Sequence, residues 1–314
     1  MYGNRRTKVQ SKYYESGDTI LHYYEIKNNL PPLVFIHAQG VDGLSFENTF
    51  KKLSTKYHIY AVDCYGHGKS LHDETTYNIK DISEAIIDFI QNVAKDKVVL
   101  VGHSSGGLIA AYIASTTDLC ANLVLEDPPF FASQGERRKQ TFNYIDLSTI
   151  CHHFNAQDEE KDFVIYYFKN QYAWNFFPDK SREKIKGKLV NMAQRYRKKH
   201  PDKNLKVPFW PKAALSGFHG MNDYDPRFGE TFYNDSFHAI IPHEDILKNI
   251  ECETLFMKAK TNVSEDGILL AALNEDDAKK VSQLIRNCRV VRFDCGHGIH
   301  IEKKKEFIQC LLNL

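Results

Sequence analysis

No run of about 18 consecutive apolar residues occurs in this chain, so nothing in it reads as a helix that spans a bilayer. Net charge is scarce as well. Lys and Arg number 41 against 40 Asp and Glu, a formal balance of +1, which excludes the strong overall field that draws a protein to nucleic acid or to a membrane surface. The cysteines are Cys64, Cys120, Cys151, Cys252, Cys288, Cys295 and Cys310, an odd number with no C-x-x-C pair and no metal-ligand spacing. A disulfide framework and a zinc site are therefore not expected, and free thiols in a reducing cytoplasm are. Neither a metal nor an organic cofactor is expected. The opening MYGNRRTKVQ lacks the apolar core of a signal peptide. Repeats and low-complexity tracts are missing too, and 42% hydrophobic with 26% charged residues is the balance of a folded chain rather than a disordered one.

What is present is a rhythm. LVFIH (33–37), HIYAVD (58–63), VVLVGH (98–103) and NLVLED (122–127) are short apolar runs rich in β-branched residues, and they read as buried strands. Between the second and third, Ile79, Ile82, Ile86, Phe89, Ile90 and Val93 recur on one helical face, with Asn78 placed as N-cap. SGGLIAAYIAS follows the third strand and reads as a helix of small residues packed closely. Alternating strands and helices predict a mostly parallel, doubly wound α/β sheet covered on both faces. Before it, KVQSKYYE and TILHYYEIK flank Ser16-Gly17-Asp18 and read as an antiparallel hairpin. After Phe130 the rhythm stops. To about His243 the chain is aromatic and basic, without a clear strand. It resumes with TLFMKA (254–259), a helix near Asp276 to Arg286, CRVVRF (288–293) and a last helix from Lys303. The expected organisation is a core of residues 1–129 and 247–314 carrying a mainly helical insertion, 130–246.

Ligands of a parallel sheet gather at the carboxyl ends of its strands. Ser104 falls just past such an end, in GHSSGG, at a strand-to-helix turn flanked by Gly102 and Gly106. A serine there is placed to be a nucleophile, provided a base takes its proton. Of the 14 histidines, His297 in FDCGHGIHIEKKKEF is the expected base, because it follows the last apolar strand on a Gly-flanked loop. His300 is the rival and is read as a packing or substrate-facing residue. Acyl transfer also needs donors for the developing oxyanion. The Ser105 N–H, next to the nucleophile, and the Gln39 N–H, in HAQG after the first core strand, are the expected pair.

Together these segments resemble the α/β-hydrolases that carry a cap, a group including esterases, C–C-bond hydrolases, epoxide hydrolases and haloalkane dehalogenases. HAQG is similar to the H-G-x-G oxyanion loop, with Ala38 where glycine is usual. DCYGHGKS (63–70) resembles D-x-x-G-x-G-x-S, GHSSGG the nucleophile elbow, and GHGIHIEKKKEF the terminal G-H-x-x-H-x-E-x-P-x-x-F, with Lys304 in place of proline. A serine at position 104 disfavours the epoxide hydrolases and dehalogenases, which use aspartate. The resemblance implies structural roles for His67 and His103 and an ordering role for His37. It places the third triad member most often just after the TLFMKA strand, where Asn262 stands and Asp266 is the nearby alternative. Some relatives place it after the preceding strand, where LVLEDPPF offers Glu126, and Glu126 is the preferred acid.

The insertion corresponds to the cap. Its aromatic residues, Tyr166, Tyr167, Phe168, Tyr172, Trp174, Phe176, Phe177, Phe209 and Trp210, form either a pocket lining or the cap's own core. Trp174 and Trp210 are taken as substrate-binding. The eleven Lys or Arg between Lys180 and Lys206 read as a solvated helix face. Adjacent His152 and His153 would not share a helix face and suggest no metal. The expected function is hydrolysis of an ester or related carbonyl-linked bond in a small, partly apolar molecule, without nucleic acid or a membrane span. The alternatives are C–C-bond hydrolysis with the same triad and a ligand-binding receptor that retains it. Oligomeric state is not encoded in any of these features.

Overall fold

The computed structural model describes residues 8–208, 210, 215 and 217–314. Eight strands form one sheet: β1 (Gln10–Ser16), β2 (Thr19–Ile26), β3 (Pro32–Ile36), β4 (His58–Val62), β5 (Val98–His103), β6 (Cys120–Glu126), β7 (Glu253–Lys258) and β8 (Cys288–Arg292). Their order across the sheet is β1-β2-β4-β3-β5-β6-β7-β8. β1 pairs antiparallel with β2, and β2 with β4. All further neighbours are parallel. The hairpin turns at Gly17, whose φ of 56° suits a residue without Cβ.

Helices cover both faces, and the strands show why. Successive side chains of a strand point to opposite sides. Leu33, Phe35, Ile59, Ala61, Val99 and Val101 enter one buried cluster, whereas Val34, Ile36, Tyr60, Val62 and Leu100 enter the other. Phe50 and Leu53 of α1 (Glu47–Leu53) join the first cluster. Ile82, Ile86 and Phe89 of α2 (Ile79–Phe89) join the second, with Leu108 and Ala111 of α3 (Ser105–Thr116). Asn78 caps α2, its side chain accepting from the Asp81 N–H at 3.0 Å. Both faces being buried explains why β3 and β5 are apolar without alternation.

Between β6 and β7 the described residues form a mainly helical cap: α4 (Thr149–Asn155), α5 (Phe163–Asn170), α6 (Asp179–Lys199), α7 (Pro226–Tyr233) and α8 (His243–Lys248). After β7, α9 (Glu275–Leu284) opens with a reciprocal cap between Asn274 and Asp277. The last helix expected from Lys303 is α11 (Lys304–Leu312), and a short helix, α10 (Ile299–Glu302), precedes it. Phe307 and Leu311 of α11 close the face that α1 also covers. Among the described residues no helix is long and apolar enough to cross a membrane.

Candidate active site

Strand β5 ends at His103, and Ser104 turns the chain into α3 with φ 54° and ψ −121°. That left-handed backbone costs a non-glycine residue about 1–3 kcal/mol and persists only where its surroundings impose it. Here the Ser104 N–H donates to the Glu126 carbonyl at 3.0 Å, and the Ser104 carbonyl accepts from the Gly107 N–H at 2.9 Å. The glycines are needed for room. A Cβ on Gly102 would press on the Gly106 carbonyl, and one on Gly106 on the carbonyls of Ile36 and His37.

The expected oxyanion loop sits across from this turn. His37 Nε2 accepts from the Cys64 N–H at 2.9 Å, which leaves Nδ1 to donate to the Ala38 carbonyl at 2.8 Å. His67 Nε2 accepts from the Gly40 N–H at 3.1 Å, and its Nδ1 donates to the Tyr65 carbonyl at 3.0 Å. Burial holds His67 well below the ordinary imidazole range, consistent with its accepting role. The Gln39 N–H donates to the Ser105 hydroxyl oxygen at 2.8 Å. The Gln39 side-chain amide donates to Tyr224 Oη at 2.7 Å, tying the loop to the cap. Asp63 anchors the next motif: its carboxylate accepts from the Gly43 and Lys69 N–H groups and pairs with His22 at 2.7 Å.

His297 Nδ1 lies 2.8 Å from Asp127 Oδ2. Asp127 is fully buried. Its other oxygen accepts from the Ala259 N–H at 3.1 Å, and Lys258 Nζ stands 3.8 Å away, itself buried. His103 Nε2 donates to the His297 carbonyl at 3.1 Å, so a third histidine steadies the loop. Burial pushes His103 down to about 3, making it a neutral donor.

The expectation that Glu126 partners His297 is corrected. Glu126 Oε1 accepts from both the His300 backbone N–H and His300 Nδ1, each at 2.8 Å. Burial works to raise the Glu126 carboxyl, but the charge of the His300 imidazole and the hydrogen bonds from His300 outweigh it and bring it to about 2. The sheet register explains the exchange of roles. His103 and Glu126 are paired across β5 and β6. The residues that first step beyond those strand ends are Ser104 and Asp127, and both turn out with positive φ, 54° and 45°. In that register VGHS lies beside VLED, and the second carboxylate aligns with the serine. Asp266 is exposed, in a turn closed by the Gly267 N–H to Ser264 carbonyl bond at 3.1 Å, and does not contact His297.

Ser104, Ser105, Gln39 and His297 line one cavity of about 310 Å³. No hydrogen bond joins Ser104 Oγ to His297 among the described residues, an arrangement common before substrate aligns such a pair. The walls come from the cap, including Arg138, Phe142, Tyr144 and Phe232, and from Leu270 to Ala272. The Arg138 guanidinium is spent on the carbonyls of Gly135 and Tyr233. Sequence reasoning missed Phe142, Tyr144 and Phe232; nothing in their local pattern marks them off from other cap aromatics. Conversely, Trp174 and Trp210 do not reach the cavity. Both are buried in the cap's core, ring centroids 4.6 Å apart, with the Trp174 indole donating to the Phe168 carbonyl at 2.7 Å. Phe209 lies outside the described residues.

As for metals, His103, Glu126 and His300 are the one group among the described residues whose potential ligand atoms lie within 4.8 Å of one another. The carboxylate of that group is spent on His300 and the His103 Nε2 on a carbonyl. His152 pairs with Glu230 at 3.0 Å and stacks on Tyr233.

Comparison with known proteins places this geometry. The chain is 30% identical over 147 residues to a putative esterase/lipase of Haemophilus influenzae, covering 45% of this chain and 49% of that one. It is 29% identical over 122 residues to a pimeloyl-[acyl-carrier protein] methyl ester esterase of Vibrio cholerae, covering 38% and 46%. The chain thus spans about half the length of these curated relatives. The enol-lactonase of Burkholderia xenovorans LB400 superposes with a TM-score of 0.65 over 96% of this chain and 98% of its own, at 15% identity, a likeness of fold. The model of the alpha/beta hydrolase family matches residues 33–309, from the first core strand through the cap to the last helix, and the chain belongs to that family.

Proposed function

We propose that the protein is a serine hydrolase that cleaves an ester or related carbonyl-linked bond in a small, partly apolar substrate. The observation that carries this reading is the line-up of a strained Ser104 and a carboxylate-bound His297 on one cavity. Ser104 Oγ attacks the carbonyl carbon while His297 Nε2 takes its proton, and Asp127 on Nδ1 fixes the tautomer and stabilises the imidazolium. The N–H groups of Gln39 and Ser105 hold the oxyanion, once the Ser105 hydroxyl rotates away from Gln39. The tetrahedral intermediate expels the alcohol, which receives the His297 proton. Water, deprotonated by His297, then releases the acid from Ser104.

The cavity lies at the small end of ligand pockets, which span about 300–1,000 Å³, and so favours a short acyl or alcohol portion. All seven cysteines are free, which supports a reducing, cytoplasmic setting. The comparisons support ester chemistry through the names of the two curated relatives.

The test is labelling with a fluorophosphonate and mapping of the modified peptide by mass spectrometry, beside turnover of short p-nitrophenyl esters. Label on Ser104, lost in Ser104→Ala, with saturable ester turnover is the expected result. Label on another residue, or folded protein inert to both reagents, overturns the reading. Ligand binding without turnover would instead assign the receptor alternative.

A further inference from the structure

The charge of this chain is balanced only in sum. Residues 179–206 carry eleven Lys or Arg against Asp179, Glu183 and Asp202, a surplus of 8; the whole chain carries +1, so the remainder is at −7. The surplus is concentrated on α6, and on one side of it. At about 100° per residue, Lys180, Lys184, Lys188, Arg195, Lys198 and Lys199 fall within an arc of about 100° and run about 28 Å along the axis. All six are exposed. None of them makes an ion pair among the described residues, whereas Arg182 and Arg197 of the same helix are paired with Asp179 and Asp162. The opposite side of α6 is the anchored one: Val190 and Ala193 are buried, and Leu189 and Tyr196 pack on the core.

A second feature adjoins the start of this stripe. Phe176 is 69% exposed and Phe142 37%. Tyr172 bridges them, with ring centroids 5.8 Å from each. Phe142 also lines the cavity that holds Ser104. An aromatic ladder thus leads from the cavity wall to the solvent beside Lys180.

We propose that this face of the cap docks on an anionic lipid surface, with Phe176 entering the headgroup region and the α6 stripe lying against the phosphates. Five of the six cations are lysines, point charges suited to a diffuse layer of phosphates; a carboxylate-bearing protein partner would favour the forked geometry of arginine. Exposed aromatic rings next to lysines are the composition that settles at a membrane interface. Docking in this orientation brings the aromatic wall of the cavity to the lipid side. The proposal concerns binding alone and stands apart from the assignment of Ser104.

Co-sedimentation of the full chain with phosphatidylcholine vesicles, with and without phosphatidylglycerol, tests it. Each cation near an anionic leaflet contributes about a fivefold factor in binding. The Lys180→Glu/Lys184→Glu/Lys188→Glu variant should therefore lose on the order of 10²-fold or more, while hydrolysis of a soluble short ester is retained as the check on folding. Phe176→Ser should weaken binding at every salt concentration, and salt should weaken the wild type. Lys51→Glu/Lys52→Glu, a charge change on α1 away from the cap, should bind as the wild type does. Failure of the wild type to sediment with phosphatidylglycerol vesicles at low salt overturns the proposal. So does a stripe variant that binds as well as the wild type, an α1 variant that loses as much, or retention on polyglutamate without retention on vesicles.

Discussion

Asp127 Oδ2 and His297 Nδ1 stand 2.8 Å apart, while the neighbouring carboxylate in the chain, Glu126, is turned to His300. Two adjacent acids thus hold two histidines three residues apart, His297 in the loop after β8 and His300 in α10. One pair opens on the cavity through a His297 side chain that is 40% exposed; the other is buried on both sides. On the proposed mechanism the first pair serves chemistry and the second architecture.

Asp127→Asn keeps the shape but offers the imidazole an amide. A comparable change in a serine protease lowers kcat about 10⁴-fold, so a loss of about 10³ to 10⁴ in kcat is expected, or about 4–5.5 kcal/mol. Glu126→Gln should lose less, and Asp266→Asn under about tenfold. Steady-state kinetics on variants whose circular dichroism matches the wild type decides the ranking, and a Glu126 loss exceeding that of Asp127 would reverse the assignment.

Glu126 also sets an acid limit. Its folded-state carboxyl, at about 2 against an ordinary 4.5, is depressed. The stability it contributes is present above about pH 4.5 and is lost as pH falls toward 2, on the order of 3 kcal/mol in all. Urea titrations across that window should show a steep loss in the wild type and a shallower one in Glu126→Gln, which starts from a lower plateau. Parallel curves would mean the pair contributes nothing to acid sensitivity.

Asp146 works in the opposite sense. Burial lifts it to about 6, against the hydrogen bonds from Tyr167 Oη and the Tyr172 N–H that pull it down. A raised carboxyl favours the folded state below about pH 3.8, and that advantage is lost as pH rises through 6. Asp146→Asn, which keeps an acceptor for Tyr172, should melt above the wild type at pH 8, lose about half of that lead by pH 5 and the rest toward pH 3.8. A constant difference in Tm across this range would refute the assignment.

In the cap, Trp174→Ala and Trp210→Ala should each destabilise by about 3–5 kcal/mol, as large aromatic deletions from a core do. Ratios of kcat/KM among acyl chain lengths should stay level in whatever protein remains folded. Phe142→Ala, at a partly exposed cavity wall, should do the reverse. Altered ratios in the tryptophan variants and none in the Phe142 variant would move the substrate pocket into the cap interior.

The sheet was legible because its central strands are apolar on both faces, and the elbow because close approach admits only glycine at 102 and 106. Gln39 and Ser105 follow from the same two turns, and the structure brings both to the cavity with Ser104 and His297. The proposed acid, Asp127, was legible to within one residue. Strand β6 was recognisable, but the choice between Glu126 and Asp127 depends on where the last sheet pair falls, and two consecutive carboxylates give composition no basis to decide. The cap aromatics were legible as a set. Which of them pack on one another and which face the cavity depends on helix packing between segments far apart in sequence, and local periodicity does not carry that.

The bond from the Gln39 N–H to Ser105 Oγ makes the proposed oxyanion site a place of exchange. A neutral carbonyl that settles there trades one ordinary acceptor for another and gains little. A developing alkoxide gains a charge-assisted bond, roughly twice as strong. Ser105→Ala removes the resident acceptor and should lower KM with kcat unchanged, since substrate and transition state then benefit alike; a fall in kcat would mean instead that the hydroxyl itself assists. With the hydroxyl in place, substrate and transition state must both displace the protein's own side chain from the donor, so the resting loop weakens substrate binding without changing the step from bound substrate to transition state.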